Sequence, residues 1–298
     1  MATTPQPPQR GEAAGMILVT GATGKIGSEL VRLLTGAGAR VRALVRTPAT
    51  ASLPGSVEVA HGDLGDPSSL DAAMNGVDRL FLLSSADPRL AELQGNAVRA
   101  AGRAGVRHIV KLGSAGAGLD SPIRVARAHA EVEQQIAGSG IAHTFLRPSL
   151  FMQFFLMHAP TIRAQGAFYL PLRDGAVATV DVRDIAAVAA AALTGPGHEG
   201  AAHVLTGPEA LTMEQVAAAL TAALGRPIAY VDVPPEAAGR AMLAQGVPDW
   251  FVGDLLKLME MYASGAAAAV STDVHGATGQ PARSFEAFAR DHAAAFSA

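Results

Sequence analysis

An apolar run, Met16-Ile-Leu-Val-Thr20, leads straight into Gly21-x-x-Gly24-x-x-Gly27 and then into the helical stretch Lys25 to Leu30. A strand that turns through three spaced glycines into a helix leaves few folds open, because it sets bare backbone amides and a helix N-terminus at one point, where a pyrophosphate would sit. Gly21 and Gly24 allow the tight turn and the close approach of a ligand, and Gly27 lets helix and strand pack closely. A second strand, Arg40-Val-Arg-Ala-Leu-Val-Arg46, follows at the spacing of a βαβ unit. The chain is therefore expected to be built around a dinucleotide, with Thr23, Lys25 and Ile26 filling the rest of the phosphate turn.

With 298 residues, 49% hydrophobic and 16% charged, the chain can bury a large core as one extended α/β domain or two unequal lobes. A net charge of -3 without a long basic run gives no footprint for nucleic acid or an anionic membrane. Cysteine is absent, which removes disulfides, thiolate metal sites and a cysteine nucleophile, and agrees with an expected cytoplasmic location. Residues 1–15, rich in Pro, Gln and Gly, lack the apolar centre of a signal peptide and read as a disordered tail. No stretch reads as a membrane span; Ile185 to Leu193 is a short Ala-rich helix.

Short apolar runs alternate with helical segments through the first half, the pattern of a parallel sheet covered on both faces. Strands are expected at Met16 to Thr20, Arg40 to Val45, Val57 to His61, Arg79 to Ser84, Arg107 to Leu112 and Ala142 to Arg147. Asp66-Pro67 opens one helix, Pro88 another that ends near Gly102, and a third runs from Pro122 to Ala137 before Gly138-Ser-Gly140. After Pro148 the alternation loosens. Strand-like Ala202 to Thr206 and Ile228 to Val233 flank a helix opened by the capping box Thr212-Met-Glu-Gln215. The expected architecture is a doubly wound parallel Rossmann sheet in residues 16–150. A smaller substrate-covering region in 151–298 returns some strands and helices to it.

At the end of the second strand, where an acidic residue would hold the ribose hydroxyls, stands Arg46, with Arg42 nearby and Lys25 in the loop. This favours NADP(H) over NAD(H), with a solvated strand-end charge as the plainer role for Arg46. Asp63 and Leu64 follow the third strand, Asp63 suited either to an adenine amino group or to shaping a turn. Ser84 and Ser85 end the fourth, beside the expected crevice. Nine histidines are scattered without metal-ligand spacing, so no metal is expected.

Thr20-Gly-Ala-Thr-Gly-Lys-Ile-Gly27, Val41 to Arg46, Gly62-Asp-Leu64, Phe81-Leu-Leu-Ser-Ser85, Val110-Lys-Leu-Gly-Ser114, Thr144-Phe-Leu-Arg-Pro148 and the ending Ser284 to His292 together resemble the NmrA-like branch of the atypical short-chain dehydrogenase/reductases. The resemblance implies a Rossmann fold, a bound nicotinamide dinucleotide, and relatives that reduce quinones, triphenylmethane dyes and polyketide ketones or sense cofactor without catalysis. It also places Pro148 beside the cofactor and matches Ser114 to the serine on the oxyanion side. Typical members of the wider superfamily carry a Tyr-x-x-x-Lys pair on the helix after the fifth strand. Here those positions are Val125 and His129. The three tyrosines, Tyr169, Tyr230 and Tyr262, lie elsewhere in the chain.

A reductase without that phenol needs an acceptor that can be protonated late, by water, or from within the substrate. His129 is the remaining candidate acid, steadied by Glu133 one turn on. Equally open are a surface pair of the two residues and a ribose contact from His129. Phe151, Met152, Phe154, Phe155 and Met157 read mainly as core, while Phe151 and Phe154 with Tyr169 and Trp250 would wall a flat apolar pocket, Gln153 supplying its polar group. The segment Gln245 to Tyr262 is a candidate lid. The expectation is an NADPH-dependent reductase of a quinone or aromatic, polyketide-type ketone, its partner a small aromatic substrate. An NADP(H)-sensing regulator and a dinucleotide-dependent isomerase or dehydratase are the alternatives.

Overall fold

The computed structural model describes residues 15–297, so the tail expected over residues 1–15 lies, apart from Gly15, outside the described residues. The elements run β1 (Met16–Val19), α1 (Lys25–Gly36), β2 (Val41–Val45), β3 (Glu58–His61), α2 (Pro67–Met74), β4 (Val77–Leu82), α3 (Leu90–Ala104), β5 (His108–Leu112), α4 (Arg124–Gly138) and β6 (Ala142–Pro148). After a 3-10 turn at Met152–His158 come α5 (Ala159–Gln165), β7 (Ala167–Leu170), α6 (Val182–Thr194), β8 (Ala202–Leu205), α7 (Met213–Leu224) and β9 (Ala229–Asp232). Then follow α8 (Pro235–Ala244), α9 (Asp249–Ala263), α10 (Asp273–Thr278), α11 (Phe285–Asp291) and α12 (Ala293–Phe296).

Seven strands form one parallel sheet in the order β3-β2-β1-β4-β5-β6-β8. Side chains alternate across it with the period of two that a strand imposes. Ile17, Val19, Phe81, Val110, Leu112 and Leu146 pack with Leu30, Leu34, Ile185 and Val188 of α1 and α6. Leu18, Leu80, Leu82, Ile109 and Phe145 pack with α2, α3 and α4 through Leu70, Ala97, Val132 and Ile136. Both faces are therefore buried, which accounts for the continuous apolar runs of β1 and of Leu80 to Leu82 in β4 in place of a polar alternation.

Two of the expected helix starts hold in detail, while the helices expected from Pro88 and Pro122 begin at Leu90 and Arg124. Asp66 caps α2 by accepting from the Ser68 amide, and Thr212 and Gln215 form the reciprocal capping box of α7. One strand was not expected: β7 pairs in parallel with β9 as a separate two-stranded sheet. Beneath it lies a third core, where Phe155, Phe168, Phe285, Phe288 and Phe296 are wholly buried and several meet edge to face. Met157, expected with this group, instead stands 61% exposed.

Candidate active site

The glycine turn has the geometry that its sequence demands. Gly21 sits at φ +63°, and the Gly24 amide donates to the Gly21 carbonyl at 3.0 Å. A Cβ at Gly27 would lie 2.1 Å from the Gly21 oxygen, so only glycine lets α1 start this close to β1. The helix opens on Gly24 with no side-chain cap and no acid in its first turn, which leaves the amides at Lys25, Ile26 and Gly27 for an external anion. Thr23 and Lys25 are exposed beside them, while Ile26 is buried in the core. This cradle fits a pyrophosphate.

Arg46 stands exposed just beyond β2, with no ion pair among the described residues. Arg42 does not assist it. Its guanidinium donates to Glu58 at 2.6 Å and to the carbonyls of Ala73 and Asn75 at 2.7 Å, because it lies near the opposite end of the strand. Asp63 accepts the Gly65 amide at 2.7 Å and so shapes the turn after β3, whereas Leu64 offers its carbonyl to Asn96. Beyond β4, Ser84 accepts from Gln94 at 2.9 Å, and Ser85 is exposed. Gln94 is wholly buried, and its Oε1 has no partner. This polar residue beside the crevice escaped the sequence reading, since one Gln on a helix carries no periodic signal.

On α4, Val125 packs against the apolar cluster under α3 and α4. His129, one turn on, places Nδ1 3.0 Å from Nζ of Lys111, which is wholly buried on β5 and also reaches the Leu112 carbonyl at 3.1 Å. Burial pushes the Lys111 ammonium down to about 7. Burial, aided by the Lys111 charge, pushes His129 down to about 3. The expected pairing of Glu133 with His129 does not occur: Glu133 is clasped by Arg147 of β6 through contacts of 2.5 and 3.3 Å. A fixed guanidinium on the neighbouring strand outcompetes an imidazole that burial keeps neutral. Ser114 lies just past β5, its hydroxyl accepting from Gly116 at 3.4 Å, and the Ala115 amide donates to the carbonyl of Pro148 at 3.0 Å. The structure thus brings Ser114 and Pro148 together.

Helix α4 has no cap of its own. Asp254 of α9 supplies it, accepting the amides of Arg124 and Val125 at 3.0 and 2.9 Å, while Trp250 lies 5.8 Å from the Arg124 guanidinium. The segment Gln245 to Tyr262, expected as a lid, is mostly this docked helix. Phe151 packs on the main core and Phe154 on the third, so the two straddle the boundary between them. Gln153 is not a free pocket group. Its amide donates to Asp181 and accepts from Val182, both at 3.0 Å, and so braces the start of α6. Tyr169 lies on β7 with its hydroxyl on Gln165, Tyr230 holds the Leu170 carbonyl and Asp232, and Tyr262 is buried. A cleft of about 370 Å³ between α3 and α4 is lined by Arg89, Glu92, Arg124, Arg127 and Glu131, apart from the aromatic residues expected to wall the acceptor pocket.

The histidines are less scattered in space than in sequence. His198 Nδ1 and His203 Nε2 lie 3.2 Å apart, and His108 bonds Thr144. Among the described residues no group of three or more metal-ligating side chains forms, and no helix is long and apolar enough to cross a membrane.

Comparison with known proteins shows the family. The profile of the NmrA-like family matches residues 13–289, and the chain belongs to that family. It is 46% identical over 285 residues to the NAD(P)H azoreductase of Xenophilus azovorans, covering 95% of this chain and 100% of that one. It is 43% identical to the (4-alkanoyl-5-oxo-2,5-dihydrofuran-3-yl)methyl phosphate reductase of Streptomyces griseus, covering 94% and 99% of the two chains. The NADPH-dependent quinone oxidoreductase of Escherichia coli, solved with NADPH, superposes with a TM-score of 0.84 at 31% identity, over 93% of this chain and 99% of that one.

Proposed function

We propose that this chain delivers hydride from NADPH to a flat, conjugated acceptor, a quinone, an azo compound or an aromatic polyketide-type ketone, without a phenolic acid. The chain is an NAD(P)H-dependent oxidoreductase, and NADP(H) is its dinucleotide. The observation that carries the acceptor class is Val125. By the resemblance to the wider superfamily we align it on α4 with that superfamily's tyrosine, and the three tyrosines of the chain lie on β7, β9 and α9. A positioned general acid is worth about 10²- to 10⁴-fold in rate, so an enzyme without one favours acceptors whose reduced form is a stabilised anion. Quinones meet that condition, and the azoreductase relative adds the azo bond to the class.

The bound nicotinamide supplies the hydride. The α1 amides hold the pyrophosphate, Arg46 the 2′-phosphate, and Ser84 the ribose side of the crevice. Ser114 and His129 are assigned to the acceptor's developing negative charge, and Phe151, Phe154 and Trp250 to its flat faces.

The test is NADPH oxidation by the purified protein against matched panels of quinones, azo dyes and aryl ketones with and without an adjacent phenol. Quinones and azo dyes should turn over, and ketones only with the internal phenol. Absence of turnover with every acceptor would remove the reductase reading of these substrates.

A further inference from the structure

We propose that Lys111 is the positioning residue for His129: it holds the imidazole as the Nε2–H tautomer and so presents a proton donor on the helix that has no phenol. This inference rests on the acceptor-side role assigned to His129 above. Its starting point is a lysine that folding does not explain. Lys111 is wholly buried on a central strand, a position where an apolar side chain would pack without the cost of desolvating an ammonium.

Its surroundings define what it can do. Nζ reaches two acceptors, the Leu112 carbonyl on its own strand and Nδ1 of His129 on α4. Glu133 of the same helix and Arg147 of β6 are the charged groups facing it, and the Glu133 carboxylate is already committed to that guanidinium. A Cβ at Gly113 would lie 2.9 Å from Glu133 Oε1 and 3.5 Å from Nζ, so glycine there keeps the four groups packed together. An ammonium has hydrogens and no lone pair. Against the charged form, Nδ1 can only accept, and the ring proton sits on Nε2; the one hydrogen bond His129 makes among the described residues is through Nδ1.

The proton then has a balanced route. As hydride reaches the acceptor, the displaced electron pair moves to its oxygen or second nitrogen, and that atom takes the proton of Nε2. Nδ1 takes a proton from Lys111 in the same event, so the imidazole ends neutral and the lysine ends as an amine. Return of the Nδ1 proton to Lys111, with uptake of one proton from water at Nε2, restores the pair.

Long-range proton–nitrogen NMR of the cofactor-free, ¹⁵N-labelled protein reads the tautomer directly, with His129 assigned by H129N. At pH 6 the wild type should show a lone-pair nitrogen at Nδ1 and a protonated one at Nε2. K111M should give a mixed tautomer and a His129 that titrates higher, while K111Q, which keeps an N–H donor, should restore the wild-type pattern. In turnover, K111M should lose at least tenfold in kcat with KM for NADPH unchanged, and K111Q should regain part of it. A wild-type ring protonated at Nδ1, or an unaltered ring in K111M or in both variants, would overturn the proposal. If instead the tautomer behaves as expected but H129N keeps full kcat, the acceptor-side role of His129 fails, and the proton route fails with it.

Discussion

The carboxylate of Asp254 accepts the amide of Val125 at 2.9 Å, so a residue 129 positions further along the chain caps the helix that carries Val125 and His129. Asp254 is 6% exposed and satisfies the Arg124 amide as well, leaving no room for water to replace it fully. Loss of an N-cap costs about 1 kcal/mol, and up to about 2 kcal/mol in favourable cases. D254A should therefore lower the thermal midpoint measurably in a calorimetric scan. It should also lower kcat, because the first turn of α4 sets the direction of His129.

Arg46 is exposed beyond β2 and unpaired among the described residues. A guanidinium held ready in this way favours a phosphate, and a carboxylate there would favour the free ribose hydroxyls. R46E should weaken NADPH binding by roughly 10- to 100-fold, about 1.4 to 2.7 kcal/mol, and leave NADH binding equal or better. Fluorescence titration of both cofactors checks this. Equal weakening of the two would instead mean that Arg46 serves the loop and not the 2′-phosphate.

At Gly27 the argument is steric. A methyl group 2.1 Å from the Gly21 oxygen forces α1 away from β1 and carries the phosphate amides with it. G27A should destabilise the fold by about 1 to 3 kcal/mol, the usual range for overpacking, and abolish saturable NADPH binding. Denaturant unfolding and cofactor titration read the two effects separately.

Three buried bases make stability depend on pH in one direction. His129 is pushed down to about 3 and His158 to about 4, both chiefly by burial, so the unfolded chain binds protons that the folded chain refuses below pH 6.5. Stability is then full above that pH and falls as pH drops toward 4. Lys111, pushed down to about 7, acts likewise at higher pH: its burial costs most below pH 7 and is relieved as pH rises toward 10.5. Urea unfolding between pH 4 and 9 should show both slopes. H158Q should flatten the acid limb and K111M the alkaline one.

The core of the fold was legible because the central strands carry apolar runs bounded by turn chemistry, as Met16–Val19 is by Gly21. The strand β7 was not, since four residues following a short helix carry too little pattern. The phosphate cradle was equally plain, for glycine is the one side chain whose absence is itself a signal. What sequence spacing could not convey was pairing across elements. Glu133 looked like the partner of His129 at one helical turn, but Arg147 arrives from a neighbouring strand, and Lys111 takes the imidazole instead. Gln153 shows the same limit: a polar residue among aromatics suggests a ligand contact, and it faces the start of α6.

The edge strand β8 lies beyond β7 in the chain yet pairs with β6 in the main sheet. The polypeptide after Pro148 is therefore interrupted by a strand of the main sheet. Recombination between relatives that exchanges everything after Pro148 would also exchange that strand and the α6 layer packed on α1. New specificities should be reached more readily by separate replacement of the segments between β6 and α6 and between β8 and α10, which leave β8 and α6 in place, than by a single crossover.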